Sequence, residues 1–300
     1  MARLVLIAVA GVLMTGCRFW YKPVPVANAI GEEETVLAGD SMNVYRGQRF
    51  EVYGPNTEAV YDGYEQLNRA YRAFERYFGA EAPRLAVILS NDSSRAFEPQ
   101  TLKAFRDRGY HVLRYVRPRS YRSPTRYGGL GYGGVIWPVA PTAARKMLAR
   151  YADAELNDNG ERTDAAALES LPLWYRAAII HLVGEAGSPG NDLDYVREKR
   201  GQLLPLQHLL TLVRPASQDS MLDPSRRNDA DELARIIAAQ SSTFARYVAE
   251  REGMAVIGRI GRDYLRRRAL SEILGDFRSA PRTVPELERR WRVWVETRDN

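Results

Sequence analysis

The period of the hydrophobic pattern changes near Pro141, and that change limits the fold more than any other feature of this 300-residue chain. Upstream, Arg49-Phe50-Glu51-Val52-Tyr53 alternates like a short strand and stops at Gly54-Pro55. Val60, Tyr64, Leu67, Tyr71, Phe74 and Phe78 then recur at three- and four-residue steps, which places them on one face of a helix from about Glu58 to Phe78. Gly79 is its stop. Arg84 to Leu89 is a mostly apolar run of strand length, Tyr110 to Val116 is another, and Gly133 to Pro138 is expected as a short edge strand. Strand, helix, strand in this order implies a small mixed sheet. Beyond Pro141 almost every segment is helical in period. Helices are expected over 142–156, capped by Thr142, and over 171–185, with Pro172 in the first turn. Leu203 to Val213 is short and apolar, and further helices are expected over 231–251, 253–268 and 284–297, with a polar turn at 157–164 and a loop at 215–231. Thr283-Val284-Pro285-Glu286 opens the last helix with a capping-box pattern. The expected fold class is α+β: an α/β subdomain over 48–140, followed by a helical subdomain over 141–300.

The N-terminus is of another kind. Residues 1–16 carry one charge, Arg3, then an apolar run from Leu4 to Met14, and they end in Met14-Thr15-Gly16-Cys17. The run is shorter than the roughly 20 residues a spanning helix needs, and its layout is that of a secretory signal peptide. The last four residues resemble the lipobox of bacterial lipoproteins, which implies lipid attachment at Cys17 and cleavage before it. Cys17 is the only cysteine, so no internal disulfide can form. Residues 17–47 read as a tether, with Pro23, Pro25 and the run Glu32-Glu33-Glu34 and no sustained apolar period. Arg18 follows the cysteine where, in the sorting rule the lipoprotein family implies, an aspartate would retain the protein at the inner membrane. The expected place is therefore the outer membrane, facing the periplasm.

Composition is that of a globular protein, 45% hydrophobic and 27% charged. The net charge of +6 falls to +5 without Arg3, an excess that suits anionic lipid or cell-wall polymer nearby without requiring either. Arg117 to Gly134 interleaves Arg117, Arg119, Arg122 and Arg126 with Tyr121, Tyr127 and Tyr132 among five glycines. Such a loop can stack on sugars or grip phosphates, and the same composition also suits a solvated hairpin. No nucleic acid is expected as a partner.

A resemblance to a family rests on the order of several short motifs. Leu171-Pro172-Leu173-Trp174 opening a helix looks like the LPxW of the peptidase MA-like group of gluzincin metallopeptidases. Leu204-Pro205-Leu206, Ala239-Gln240-Ser241 through Glu252-Gly253, and Leu287 to Trp291 are similar to its later segments in the same order. The likeness covers roughly residues 48–296 and implies a zincin-like fold. Active members carry HExxH on the helix before LPxW, because two imidazoles four apart lie on one face and reach one Zn²⁺ while the glutamate serves the bound water. The resemblance places those roles at Ala149, Arg150 and Asp153, and the third ligand at Ala177. Only Asp153 can coordinate a metal, and Arg150 opposes a dication. No His-x-x-x-His occurs anywhere, and His111, His181 and His208 share no ligand spacing.

The expected function is therefore a non-catalytic, lipid-anchored envelope protein on a degenerate metallopeptidase scaffold. It would bind an extended peptide or protein and need no cofactor or metal. The rival is an envelope hydrolase with a relocated or metal-independent site around Asp153, His181 and Glu185, the last two being one turn apart on the same helix. A structural component of an envelope assembly is the third possibility. No Gly-x-Ser-x-Gly is present to suggest a serine nucleophile.

Overall fold

A computed structural model describes residues 30–90, 95–116, 139–156, 163–184, 190–212 and 227–298. A five-stranded sheet runs in sequence order: β1 (Glu33–Leu37), β2 (Asp40–Arg46), β3 (Phe50–Gly54), β4 (Leu85–Ser90) and β5 (His111–Val116). The first three strands are antiparallel neighbours, and β3, β4 and β5 are parallel. The helices are α1 (Thr57–Phe78), α2 (Pro99–Asp107), α3 (Val139–Leu156), α4 (Asp164–Glu169), α5 (Leu173–Gly184) and α6 (Gly190–Glu198). They continue with α7 (Leu206–Thr211), α8 (Arg227–Glu252), α9 (Val256–Leu265), α10 (Leu270–Gly275) and α11 (Val284–Thr297). The α+β class stands: a sheet in the N-terminal half, then a mostly helical C-terminal half. No helix among the described residues is long and apolar enough to cross a membrane.

The side-chain period of two sorts the sheet into faces. Val52, Val87 and Leu113 are aligned across β3, β4 and β5 and join the core shared with α1 and the later helices. Met42, Val44, Tyr53, Ala86 and Ile88 turn the other way and pack with Phe105 of α2. With both faces covered, β3 and β4 are buried along their whole length, which explains their near-continuous apolar sequence. The charged residue in β3, Glu51, is held by Arg108 through two bonds of 2.9 Å and by the Tyr53 hydroxyl at 2.8 Å.

Three expectations are corrected here. The tether expected through residue 47 is not one from Glu33 onward, because β1 and β2 form a hairpin on the sheet. Its two-residue turn, Ala38-Gly39, has positive φ at both positions (55° and 93°), the primed geometry that matches strand twist. Secondly, Thr142 does not cap the helix after Pro141, which already begins at Val139. The side chain of Gln66 on α1 accepts the Val139 and Ala140 amides at 3.0 and 3.2 Å, so a neighbouring helix supplies the cap. Thirdly, the capping box at Thr283 is not formed: the Thr283 side chain makes no cap bond, and the Glu286 side chain turns outward to Arg289 and Arg290. Helices α2, α4, α6 and α10 were not expected, and α8 starts at Arg227, inside the expected loop. The expected strand at 133–138 lies outside the described residues.

Close approach fixes the helical half. Alanines 140, 143, 144, 149 and 152 line the buried side of α3, which packs against α1, α4 and α5. At Gly184 a Cβ would stand 2.8 Å from Pro141 Cα, so the end of α5 meets the start of α3 backbone to backbone. Tyr151 and Tyr175 donate to the carbonyls of Gly258 and Ile257 at 3.1 and 2.8 Å, pinning the first turn of α9. Gln240 of α8 clamps the Leu204 backbone, accepting its N–H at 3.1 Å and donating to its carbonyl at 2.7 Å. Glu288 of α11 accepts the Leu206 amide at 3.0 Å and so caps α7.

Candidate functional site

Helix α3 carries three of the four positions that the resemblance assigns to metal chemistry, and α5, packed against it, carries the fourth. Ala149 is fully buried and Ala177 half-buried, so two positions offer only methyl groups. Arg150 is folded onto its own helix, where its Nη1 lies 3.2 Å from Asp153 Oδ2 one turn on. Its Nη2 lies 2.7 Å from Asp164 Oδ1, at the first position of α4. Lys146, a turn earlier on α3, reaches the same carboxylate at 2.7 and 3.0 Å. Two cations and two carboxylates therefore neutralise one another over the seam between α3 and α4. Burial pushes the Asp164 carboxyl up, but hydrogen bonds from Lys146 and Arg150 outweigh it and hold the group below the usual carboxylate range.

The residues present do not fit a dication. The single carboxylate at the four positions is engaged by a guanidinium, and a tetrahedral site needs three or four donors. Among the described residues, no three His, Cys, Asp or Glu side chains gather into a group that could hold a metal ion.

The residues of the rival site are divided. Asp153 faces Arg150, whereas His181 on α5 faces Asp192 on α6, with Nδ1 3.5 Å from Oδ2. Ser242 of α8 donates its hydroxyl to the same Asp192 oxygen. Burial raises the Asp192 carboxyl, while the facing His181 imidazole, the Ser242 hydroxyl and the charge of Arg246 lower it more, leaving it below the usual range. A nucleophilic triad places the imidazole between hydroxyl and carboxylate. Here the carboxylate is in the middle, with the Ser242 hydroxyl donating to Asp192 and His181 facing the same oxygen. The cluster joins three helices. Asp192 and Ser242 were missed by sequence reasoning, although an aspartate just after Pro189-Gly190 is an ordinary sign of a helix start.

Glu185, Cys17 and the loop residues Arg117, Arg119, Tyr121, Arg122, Arg126, Tyr127 and Tyr132 lie outside the described residues. A pocket of about 220 Å³ opens between α6 and α11 over Val196, Leu203, Trp291 and Val295. It shares no residue with either polar cluster. Comparison with protein-family models, with curated proteins and with solved structures finds no match to this chain.

Proposed function

We propose that this chain is a non-catalytic, lipid-anchored protein of the cell envelope, built on a gluzincin-like scaffold whose chemistry has been lost. The observation that carries the reading is the ion pair between Arg150 and Asp153. The residue at the position of the catalytic glutamate is a cation, and it engages the last side chain able to act as a ligand. The tie of Arg150 to Asp164 further supports this, since it holds the guanidinium in place and favours a structural over a transient role. The retained task is binding of an extended peptide or protein segment by strand addition. β5 is a terminal strand of the described sheet and runs directly into the arginine- and tyrosine-rich residues 117–134. Anchoring through Cys17 in the outer membrane would present the body to the periplasm.

The test is elemental analysis of protein purified without chelator or metal-affinity resin, together with a general peptidase assay. Metal-free, inactive protein is expected. Near-equimolar zinc that disappears in His181→Ala would overturn the proposal in favour of a relocated metal site. The anchor is tested separately by labelling with a fatty-acid probe, which Cys17→Ser should abolish.

A further inference from the structure

The segment 251–282 carries eight arginines and four carboxylates, a net charge of +4 out of +6 for the whole chain. The structure withdraws the carboxylates. Glu252 accepts the backbone amides of Arg278, Ser279 and Ala280 at 2.9, 2.6 and 2.6 Å. Asp263 and Asp276 both pair with Arg268, at 3.2 and 2.7 Å, and Glu272 accepts the Ala269 amide at 3.3 Å. Arg262 lies 3.5 Å from Glu155. Arg251, Arg259, Arg266, Arg267 and Arg278 are left with no carboxylate in ion-pair range among the described residues.

Part of this charge lies on α9 and just past its end. Arg259, Arg262 and Arg266 follow one another at helical spacing on the side away from the buried Ile257 and Ile260. Just beyond the helix end, Arg267 holds φ at 59°, where its amide bonds the Tyr264 carbonyl and the next amide bonds that of Asp263. Glycine suits that left-handed position, and an arginine there is strained. Two residues before α9, Met254 is an apolar side chain exposed by 37%.

We propose that this face docks on the anionic headgroups of a phospholipid bilayer, with Met254 entering the interface. Choosing a bilayer over a soluble polyanion rests on the lipid-anchored reading above, which keeps the body beside a membrane. Arginines near an anionic surface each favour binding about fivefold, and salt screens the effect.

The full chain is tested by co-sedimentation with vesicles of phosphatidylcholine alone and of phosphatidylcholine with phosphatidylglycerol, at low and high salt. The wild type should prefer the anionic vesicles, and the preference should fade with salt. The variant Arg259→Gln/Arg266→Gln/Arg267→Gly should lose on the order of a hundredfold of that preference while binding neutral vesicles as the wild type does. Arg266→Gln alone, read beside a melting curve, separates lost charge from lost folding. In Cys17→Ser the preference should persist, so failure of the anchor and failure of this surface are distinguishable. Equal preference in wild type and triple variant overturns the proposal. So does a wild type that binds soluble polyphosphate but does not discriminate between the vesicles.

Discussion

Arg150 shows how one side chain decides a site. Its side chain is 11% exposed and bridges Asp153 to Asp164, so removing it takes a cationic partner from both carboxylates and leaves Lys146 on Asp164. Arg150→Ala should therefore lower stability by about 1–3 kcal/mol in urea denaturation. Introducing ligands by Ala149→His with Arg150→Glu should not yield stoichiometric zinc in elemental analysis while Ala177 remains a methyl group. The acidic groups give a second prediction. Asp164 and Asp192 have folded pKa values below their unfolded ones, so each contributes its full stability above the unfolded value of about 3.9. That contribution is lost as pH falls through the lower folded value. The urea midpoint should owe no pH dependence to these groups between neutrality and about pH 5, and should fall below about pH 4. Asp192→Asn should make the fall shallower; an unchanged acid limb would show that Asp192 is not depressed. At this scale the sequence was legible where donors are missing, since the absence of any His-x-x-x-His is visible in a string. Asp192 and Ser242 were not, because their meeting with His181 depends on how α5, α6 and α8 pack.

Elements were readable in proportion to their amphipathic length. The six apolar residues recurring from Val60 to Phe78 foretold α1 almost to the residue, and Gly79 at φ 62° ends it as expected. The short helices α4 and α10, six residues each, offer too few turns for a period to appear. The hairpin β1–β2 was missed for a different reason. Its turn is Ala-Gly rather than the Asn-Gly or Asp-Gly that signals a primed turn, and its outer strand is mostly exposed. Two substitutions test helix ends. Gly258→Ala would bring a Cβ within 2.8 Å of Phe78 Cα, and the overpacking should cost about 1–3 kcal/mol in thermal or urea unfolding. Arg267→Gly should do the reverse, raising stability by about 1 kcal/mol through relief of the left-handed strain. A destabilised Arg267→Gly would mean that the arginine makes contacts that outweigh its backbone.

Over the whole molecule, one core runs from Val52 and Val87 of the sheet through Tyr151, Trp174 and Phe244 to Trp291, so the two expected subdomains share their interior. The second face of the sheet depends on the hairpin, since Met42 and Val44 of β2 pack with Tyr53, Ile88 and Phe105. A chain beginning at residue 48 should therefore lose several kcal/mol and tend to aggregate, because β3 would gain a bare edge and an uncovered apolar face. A chain beginning at residue 30 should melt like the full-length protein, and equal melting of the two would refute this role for the hairpin. The same hairpin sets how far the body can stray from Cys17. Twelve residues lie between Cys17 and Ile30, a contour of at most about 45 Å, against about 110 Å if the leash ran to residue 48. Were Cys17 lipidated as proposed, the folded body would be confined to a thin shell above the bilayer. Its effective concentration at the headgroups would thereby be raised, and any partner would have to come within that shell to be met at all.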